Sequence, residues 1–373
     1  MKFEKQKLGN IIKISKGKKC IEIEKPYAKH RYISIEDLHG RNIPKFTNDI
    51  GVESQENDIL IAWDGANAGK VGTGLKGIIG STIAKLEIND GNVDSKYLYW
   101  YLDSQFDSIK VQRTGATIPH VNGVTLKNIQ IPLPPLPEQK RIAAILDKAD
   151  ALRRKDEELL KKYDELAQSI FIDMFGDPVK NEKGWEVKKL GEICDIRRGA
   201  SPRPINNYIG GTVPWIKIGD GTNGKELYID KTEVHISKEG AAKSVLLKPG
   251  ALIFANCGVS LGFARIITIE GCIHDGWLSL ENYEENLDKL YLLKYINLLT
   301  DYFRRTAPEG TQPNLNTSIM KDHNIIIPNK ALQQKYGSIV LKIEHLKEKA
   351  ILIKDNSSNL FQSLLQQAFK GEL

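Results

Sequence analysis

Cysteine is scarce in this chain, with four residues (Cys20, Cys194, Cys257 and Cys272) among 373. None forms a CxxC pair, and no Cys/His group has the spacing of zinc ligands, so a zinc module is excluded. The thiols read as reduced, which predicts a cytoplasmic protein. Long apolar runs are also missing. No stretch approaches the roughly 20 residues that cross a bilayer, and the opening MKFEKQKLGN is polar, so neither a membrane partner nor a signal peptide is expected. A strong charge of one sign is missing too. The net charge of +6 permits a nucleic-acid partner without requiring one.

Catalytic signatures are equally absent. An adenine methyltransferase needs Asn/Asp-Pro-Pro-aromatic, which does not occur, and none of the 15 prolines precedes Asp as in many nuclease metal sites. The run Asp64-Gly65-Ala66-Asn67-Ala68-Gly69-Lys70-Val71 fails the phosphate-binding loop pattern twice, with Asp for the first Gly and Val for the hydroxyl residue. Gly258-Val259-Ser260-Leu261-Gly262 matches a hydrolase nucleophile elbow. It aligns, however, with residues 65–69, where Asn67 replaces the serine, so its glycines read as loop formers. His120 and His274 lack ligand-spaced companions and read as ordinary core or surface histidines. No catalytic residue, metal site or cofactor is assigned to the chain.

What is present is a long internal repeat. Lys7-Leu8-Gly9-Asn10-Ile11 recurs as Lys189-Leu190-Gly191-Glu192-Ile193, and Asp58-Ile59-Leu60-Ile61-Ala62 recurs as Gly250-Ala251-Leu252-Ile253-Phe254. From Tyr97-Leu98, which matches Tyr291-Leu292, the offset holds at 194. The initial offset is 182, so the second copy carries a net insertion of twelve residues. Each copy opens with short apolar runs broken by Gly, Asn and Asp, which predict an α+β domain. Each closes with a proline-free stretch that predicts a long helix. The boundaries read as 1–134 and 177–328 for two similar domains, and 135–176 and 329–373 for two spacer helices.

Apolar residues in the helices fall at alternating spacings of three and four, the mark of a coiled-coil seam. The first helix gives Ile142, Ile145, Ala149, Leu152, Leu159, Tyr163, Leu166 and Ile170. The second gives Tyr336, Ile339, Ile343, Leu346, Ile353, Leu360 and Leu364. Pro137 suits a first turn, and Gly176 and Gly371 suit the helix ends. A helix this long cannot bury its seam alone. Antiparallel packing of the two helices within one chain is predicted, with a pseudo-two-fold repeat and a globular domain at each end of a rod.

The segment Ile129-Gln130-Ile131-Pro132-Leu133-Pro134-Pro135-Leu136-Pro137-Glu138-Gln139-Lys140-Arg141-Ile142 resembles the start of the first spacer helix in specificity subunits of Type I restriction–modification systems. The terminal Leu364-Leu365-Gln366-Gln367-Ala368-Phe369-Lys370-Gly371-Glu372-Leu373 is similar to their C-terminus. The resemblance covers the whole architecture and is most specific in the helices. It implies a non-catalytic subunit whose two target-recognition domains each read half of a split site in double-stranded DNA. It further implies partners: two modification subunits that methylate adenine with S-adenosylmethionine, and restriction/translocase subunits that use ATP and magnesium. A coiled-coil scaffold without DNA function, and a specificity subunit of a solitary methylation or related defence system, are the alternatives.

Candidate DNA contacts are basic loops mixed with Thr, Gln and Asn. Cations neutralise phosphates, while amides and guanidinium groups read base edges. In the first copy these are Lys16, Lys18, Lys19, Lys70, Arg113, Thr114 and Thr117. In the second they are Arg197, Arg198, Arg203, Arg304, Arg305, Thr311, Gln312 and Asn314. Residues 1–135 hold 19 Lys/Arg against 15 Asp/Glu, but residues 177–329 hold 19 of each, so the second domain depends on local clusters. Trp63 and Trp215 read as core. With both catalytic motif sets missing, the purified chain is expected neither to cut DNA nor to transfer label from S-adenosylmethionine to it. Methyl transfer by the mass-verified chain would contradict this.

Overall fold

The computed structural model describes residues 3–25, 27–40, 43–115, 118–222, 226–258, 260–308 and 314–373. The chain divides into two compact units. One comprises Met1–Glu158 with Ile351–Leu373, and the other Leu159–Ala350. Each unit therefore takes one repeat's sheets together with half of each long helix.

The strands form where β-branched runs can be buried. All four residues of Ile59–Ala62 are buried, as are all four of Leu252–Ala255, which suits strands covered on both faces. In the first unit Ile59–Ala62 lies between Ile83–Ile88 and Val71–Gly72, with Ile12–Lys16 beyond. A second sheet runs Lys45–Thr47, His30–Ile33, Gly77–Ile79, Glu53–Ser54, its central pair parallel. The second unit repeats both orders. Asp195–Arg198, Trp277–Glu281, Leu252–Ala255 and Ala264–Ile267 make one sheet, and His235–Ile236, Ile209–Ile216, Gly271–Ile273 and Val245–Leu247 the other. The first of these gains Tyr228–Ile229 at its edge, a strand with no counterpart among the described residues of the first unit.

In each unit a short helix lies against the first of these sheets. Asp94 caps Ser95–Ser104 by accepting from the Tyr97 N–H, and Asp288 caps Lys289–Leu298 by accepting from the Leu290 and Tyr291 N–H groups. Their tyrosines tie down the strand that leads into each long helix. Tyr97 and Tyr101 donate to the carbonyls of Pro132 and Gln130, both at 2.6 Å. Tyr291 and Tyr295 donate to those of Ile326 and Asn324, at 2.9 and 3.4 Å.

The long helices span Leu136–Phe175 and Lys330–Lys370. Gly176 and Gly371 follow them with φ of 81° and 78°, the left-handed conformation that ends a helix at little cost in glycine. A buried glutamine stands in the first turns of each. Gln139 accepts from the Asp94 N–H and donates to the carbonyls of Asn92 and Pro134, at 2.8–2.9 Å. Gln333 makes the same three bonds, to Asp288, Asn286 and Pro328, at 2.7–3.0 Å.

Within each unit the two helix segments run antiparallel. In the first, Arg141 donates to the Leu373 carbonyl, and Ile142, Ala143 and Leu146 share a core with Phe361, Leu365 and Ala368. In the second, Tyr336 donates to the Ala167 carbonyl and packs edge-on to Phe171 and Phe175, both at 5.4 Å.

The buried face differs from the expected seam at every second position. Ile142, Tyr336 and Ile343 are buried, and Ala149, Tyr163, Ile170 and Leu364 are half-buried. Ile145 and Ile339 are also only half-buried, while Leu152, Leu159, Leu166, Leu346, Ile353 and Leu360 are exposed, by 39–53%. The inward row lies one residue further on: Leu146, Arg153, Leu160 and Ala167 in the first helix, and Val340, Lys347, Lys354 and Phe361 in the second. Each helix packs against its own domain as well as against the other helix, and this turns its buried stripe toward the domain. Arg153, Lys347 and Lys354 made that row look like surface. Leu146→Ala should therefore lower the denaturation midpoint of the chain, by about 2–5 kcal/mol in stability. Leu152→Ala should change it by less than about 0.5 kcal/mol. Equal effects in urea titrations would restore the original seam.

Candidate nucleic-acid interface

In the first unit three loops are drawn together on the rim of the sheets. The basic loop that follows Ile12–Lys16 turns at Gly17, where an added Cβ would sit 2.3 Å from the Gly80 carbonyl oxygen. Only glycine permits that approach. Lys16 reaches across to Asp64 at 2.8 Å. The loop bearing Gly65 and Gly69 is held by backbone bonds from Gly69 N–H to the Ala62 carbonyl and from Gly65 N–H to the Pro119 carbonyl. A third loop pairs Thr114 with His120, and His120 bridges to Asp64.

The second unit builds the same frame from different residues. Gly199 replaces Gly17, and a Cβ there would lie 2.3 Å from the His274 carbonyl oxygen. Gly262 N–H donates to Ala255 as Gly69 does to Ala62, and Leu315 N–H to Asn256 as Val121 does to Trp63. The bridge between Asp64 and His120 becomes one between Cys257 and Asn314.

Most of the candidate contact residues lie among the described residues. Lys16, Lys18, Lys19, Thr114, Arg197, Arg198, Arg203, Arg304 and Arg305 are exposed, while Lys70 and Asn314 are half-buried. Thr117, Thr311 and Gln312 lie outside the described residues. Lys70 ends the glycine loop, its N–H donating to the Asn67 carbonyl and its carbonyl accepting from the Ala62 N–H, and it acts electrostatically on Asp103.

Several of these side chains also hold the frame. Arg113 is half-buried, lies over the Phe106 ring at 5.6 Å and donates to the Ala66 carbonyl at 3.1 Å. Burial pushes its pKa down. Arg304 Nε donates to the Leu261 carbonyl at 3.0 Å, so each copy uses an arginine to brace its glycine loop. Arg198 Nε donates to the Asp275 carbonyl, and Arg203 meets the Asp275 carboxylate at 3.2 Å. Burial works to raise the Asp275 pKa, but His274, the Ser201 hydroxyl and Arg203 outweigh it and hold the group low. Burial lowers the pKa of His274 and raises that of Cys257. The Asn314 amide oxygen accepts from Asn256 at 3.1 Å, which occupies part of the amide expected to face bases. Trp215 is buried and Trp63 half-buried.

Asp275 and Asn256 escaped the sequence reading. Asp275 had a legible signal in its position between two glycine-bounded strands opposite an arginine-rich loop. Asn256 had only its alignment with a tryptophan. Among the described residues no group of His, Cys, Asp and Glu could hold a metal ion, and no helix is long and apolar enough to cross a membrane.

Two copies of one loop frame, each lined with cations, match what the comparisons find. The family model for the Type I restriction modification DNA specificity domain matches residues 1–162 and again 182–354. The chain belongs to this family. The MjaVIII specificity subunit of Methanocaldococcus jannaschii is 29% identical over 376 residues, covering 93% of this chain and 87% of the relative. The EcoBI specificity subunit of Escherichia coli is 22% identical, covering 85% of this chain and 73% of the relative. Two solved structures share the fold. A chain from a type I R-M system superposes with a TM-score of 0.62 at 20% identity, covering 100% of this chain and 98% of its own. The S subunit from M. genitalium superposes at 0.59 and 19%, covering 98% and 96%.

The role of the chain is thus DNA sequence recognition within a restriction–modification system, and catalysis resides in other subunits. Replacing Arg304 and Arg305 together by Ala should weaken DNA binding and lower the slope of log affinity against log salt by about two units. Affinity measured across a salt series checks this. An unchanged slope would remove both arginines from the interface.

Proposed function

We propose that the chain reads a bipartite site in double-stranded DNA, one half-site per unit, and directs adenine methylation and restriction by its partners. The observation that carries this reading is the repetition of one loop frame with different side chains. His120 is matched by Asn314, Asp64 by Cys257 and Trp63 by Asn256, and the lysines of residues 16–19 by Arg197, Arg198 and Arg203. A shared frame places both rims on DNA in the same way, and differing side chains read different bases. Phosphate contacts come from the exposed cations of both rims, with Thr114 and Asn314 at the base edges.

Two modification subunits fit the exposed apolar rows of the helices. Leu152, Leu159 and Leu166 in the first helix, and Leu346, Ile353 and Leu360 in the second, repeat at the 194-residue offset. Apolar rows of this extent on a helix mark contact with another protein. S-adenosylmethionine, ATP and magnesium belong to the partner subunits, and the assembly works in the cytoplasm, where the DNA is.

The 40-residue helix Leu136–Phe175 is about 60 Å long, the length of about 18 base pairs of duplex. Inserting a heptad at Leu152 together with one at Leu346 preserves helix register and adds about 10 Å, or about three base pairs. Methylation maps should then show unchanged half-site bases and a longer gap, shortened by one or two pairs where DNA twist requires it. Changed half-site bases with an unchanged gap would overturn the reading.

A further inference from the structure

The second domain sits on its helices through charge. Lys347 projects inward from the second helix and is only 9% exposed. Its Nζ contacts Asp164 of the first helix at 2.5 Å and also contacts Glu226 of the recognition domain. Lys294, on the short helix of that domain and also 9% exposed, lies 3.5 Å from Glu226 and 3.4 Å from Glu344. Arg265 feels the charges of Glu226 and Glu344. Three cations thus face three carboxylates, drawn from both helices and from the domain. Burial alone would raise the Glu226 carboxyl, yet Lys294 and Lys347 hold it down at about 2.

The equivalent seat in the first unit is built differently. Trp100 holds the place of Lys294 and packs edge-on to Phe361 at 5.4 Å, while Arg153, in the place of Lys347, lies over the same ring. Ala167 takes the place of Phe361 in the second unit, leaving a cavity of about 60 Å³ lined by Asp164, Ala167, Glu226 and Lys294 among others. Polar contacts anchor the first seat too: Trp100 Nε1 donates to Asp147 of the long helix at 2.9 Å, and Lys96 reaches the same carboxylate at 2.5 Å. Lys96 is exposed, however, whereas Lys347 and Lys294 are buried, and a displaced partner would leave their charges without compensation. The second seat therefore holds its domain through buried charge.

We propose that Lys347 is a positioning residue for DNA recognition: by pairing with Glu226 and Asp164 together, it sets the angle at which the second recognition domain stands on the helix pair. That angle governs how the second half-site is met, so the cluster restricts the gap lengths the chain accepts. This consequence for the gap rests on the bipartite reading above, whereas the angle itself does not.

The test uses the full chain with Lys347→Met, which keeps the stem and removes the charge, and with Lys347→Arg, which keeps the charge. Spin labels at the exposed Lys238 and Lys342, with Cys257→Ser to remove the half-buried thiol, report the domain-to-helix distance. The distribution should be about twofold broader in Lys347→Met and return toward its original width in Lys347→Arg. In cells that also carry the modification subunit, Lys347→Met should reduce methylation at the native gap by about tenfold. It should add sites one base pair longer or shorter, with half-site bases unchanged. Glu226→Gln, which neutralises the partner on the domain side, should reproduce both effects, and it decides the matter if Lys347→Met fails to fold. An unchanged distance distribution in the folded Lys347→Met or Glu226→Gln chain would overturn the proposal. A broadened distribution accompanied by an undivided wild-type recognition motif would instead sink the bipartite reading and leave the positioning role standing.

Discussion

Each half of this protein depends on a buried glutamine. Gln139 and Gln333 stand in the first turns of the long helices, almost fully buried, and satisfy one N–H and two carbonyls of the adjoining backbone. A buried amide left without partners costs about 1–3 kcal/mol, so these bonds make one relation of helix to domain much better than its neighbours. Two tyrosines on the short domain helix then secure the strand that leads into the same turn. Recognition loops on a domain that could swivel on its helix would meet DNA at no fixed angle. The clamp comes before sequence reading in that physical sense.

The two halves diverge above this shared clamp. The first domain meets the helices through aromatic edges, with Trp100 on Phe361 and Tyr97 and Tyr101 on Phe369. The second keeps an aromatic cluster of Phe171, Phe175, Tyr291 and Tyr336 but adds the charged seat around Lys347. The loop rims diverge likewise, with Asp64 and His120 on one and Cys257 and Asn314 on the other. Duplication preserved the backbone hydrogen bonds, which any side chain can serve, and left the side chains at the rim free to change.

The long helices show how a reading from spacing alone goes astray. Two rows lie side by side on each, one wholly apolar and one that mixes apolar residues with cations. The row containing Leu152, Leu159 and Leu166 is uninterrupted by charge, yet it faces outward. The inward row includes Arg153 and Lys347, whose charges are matched by Asp150 in one unit and by Asp164 and Glu226 in the other. A cation counts as surface in any one-dimensional pattern until the carboxylates that neutralise it are located, and Glu226 lies 121 residues from Lys347 in sequence.

The sequence by itself determined the duplication, the strands, the helix ends at Gly176 and Gly371, the family and the absence of catalytic motifs. All of these are written in local order: β-branched runs, glycine and proline positions, and a constant offset between copies. Tertiary structure alone decided which helix face is inside, which arginines brace the glycine loops, and which residues stand opposite one another at the two rims. Arg113 and Arg304 look alike in sequence to Arg305, but the fold brings the Ala66 and Leu261 carbonyls of the glycine loops within their reach, whereas Arg305 donates to the Asp301 carbonyl of its own helix. The reason is that burial and pairing are properties of what surrounds a side chain, and those surroundings are assembled from segments far apart along the chain.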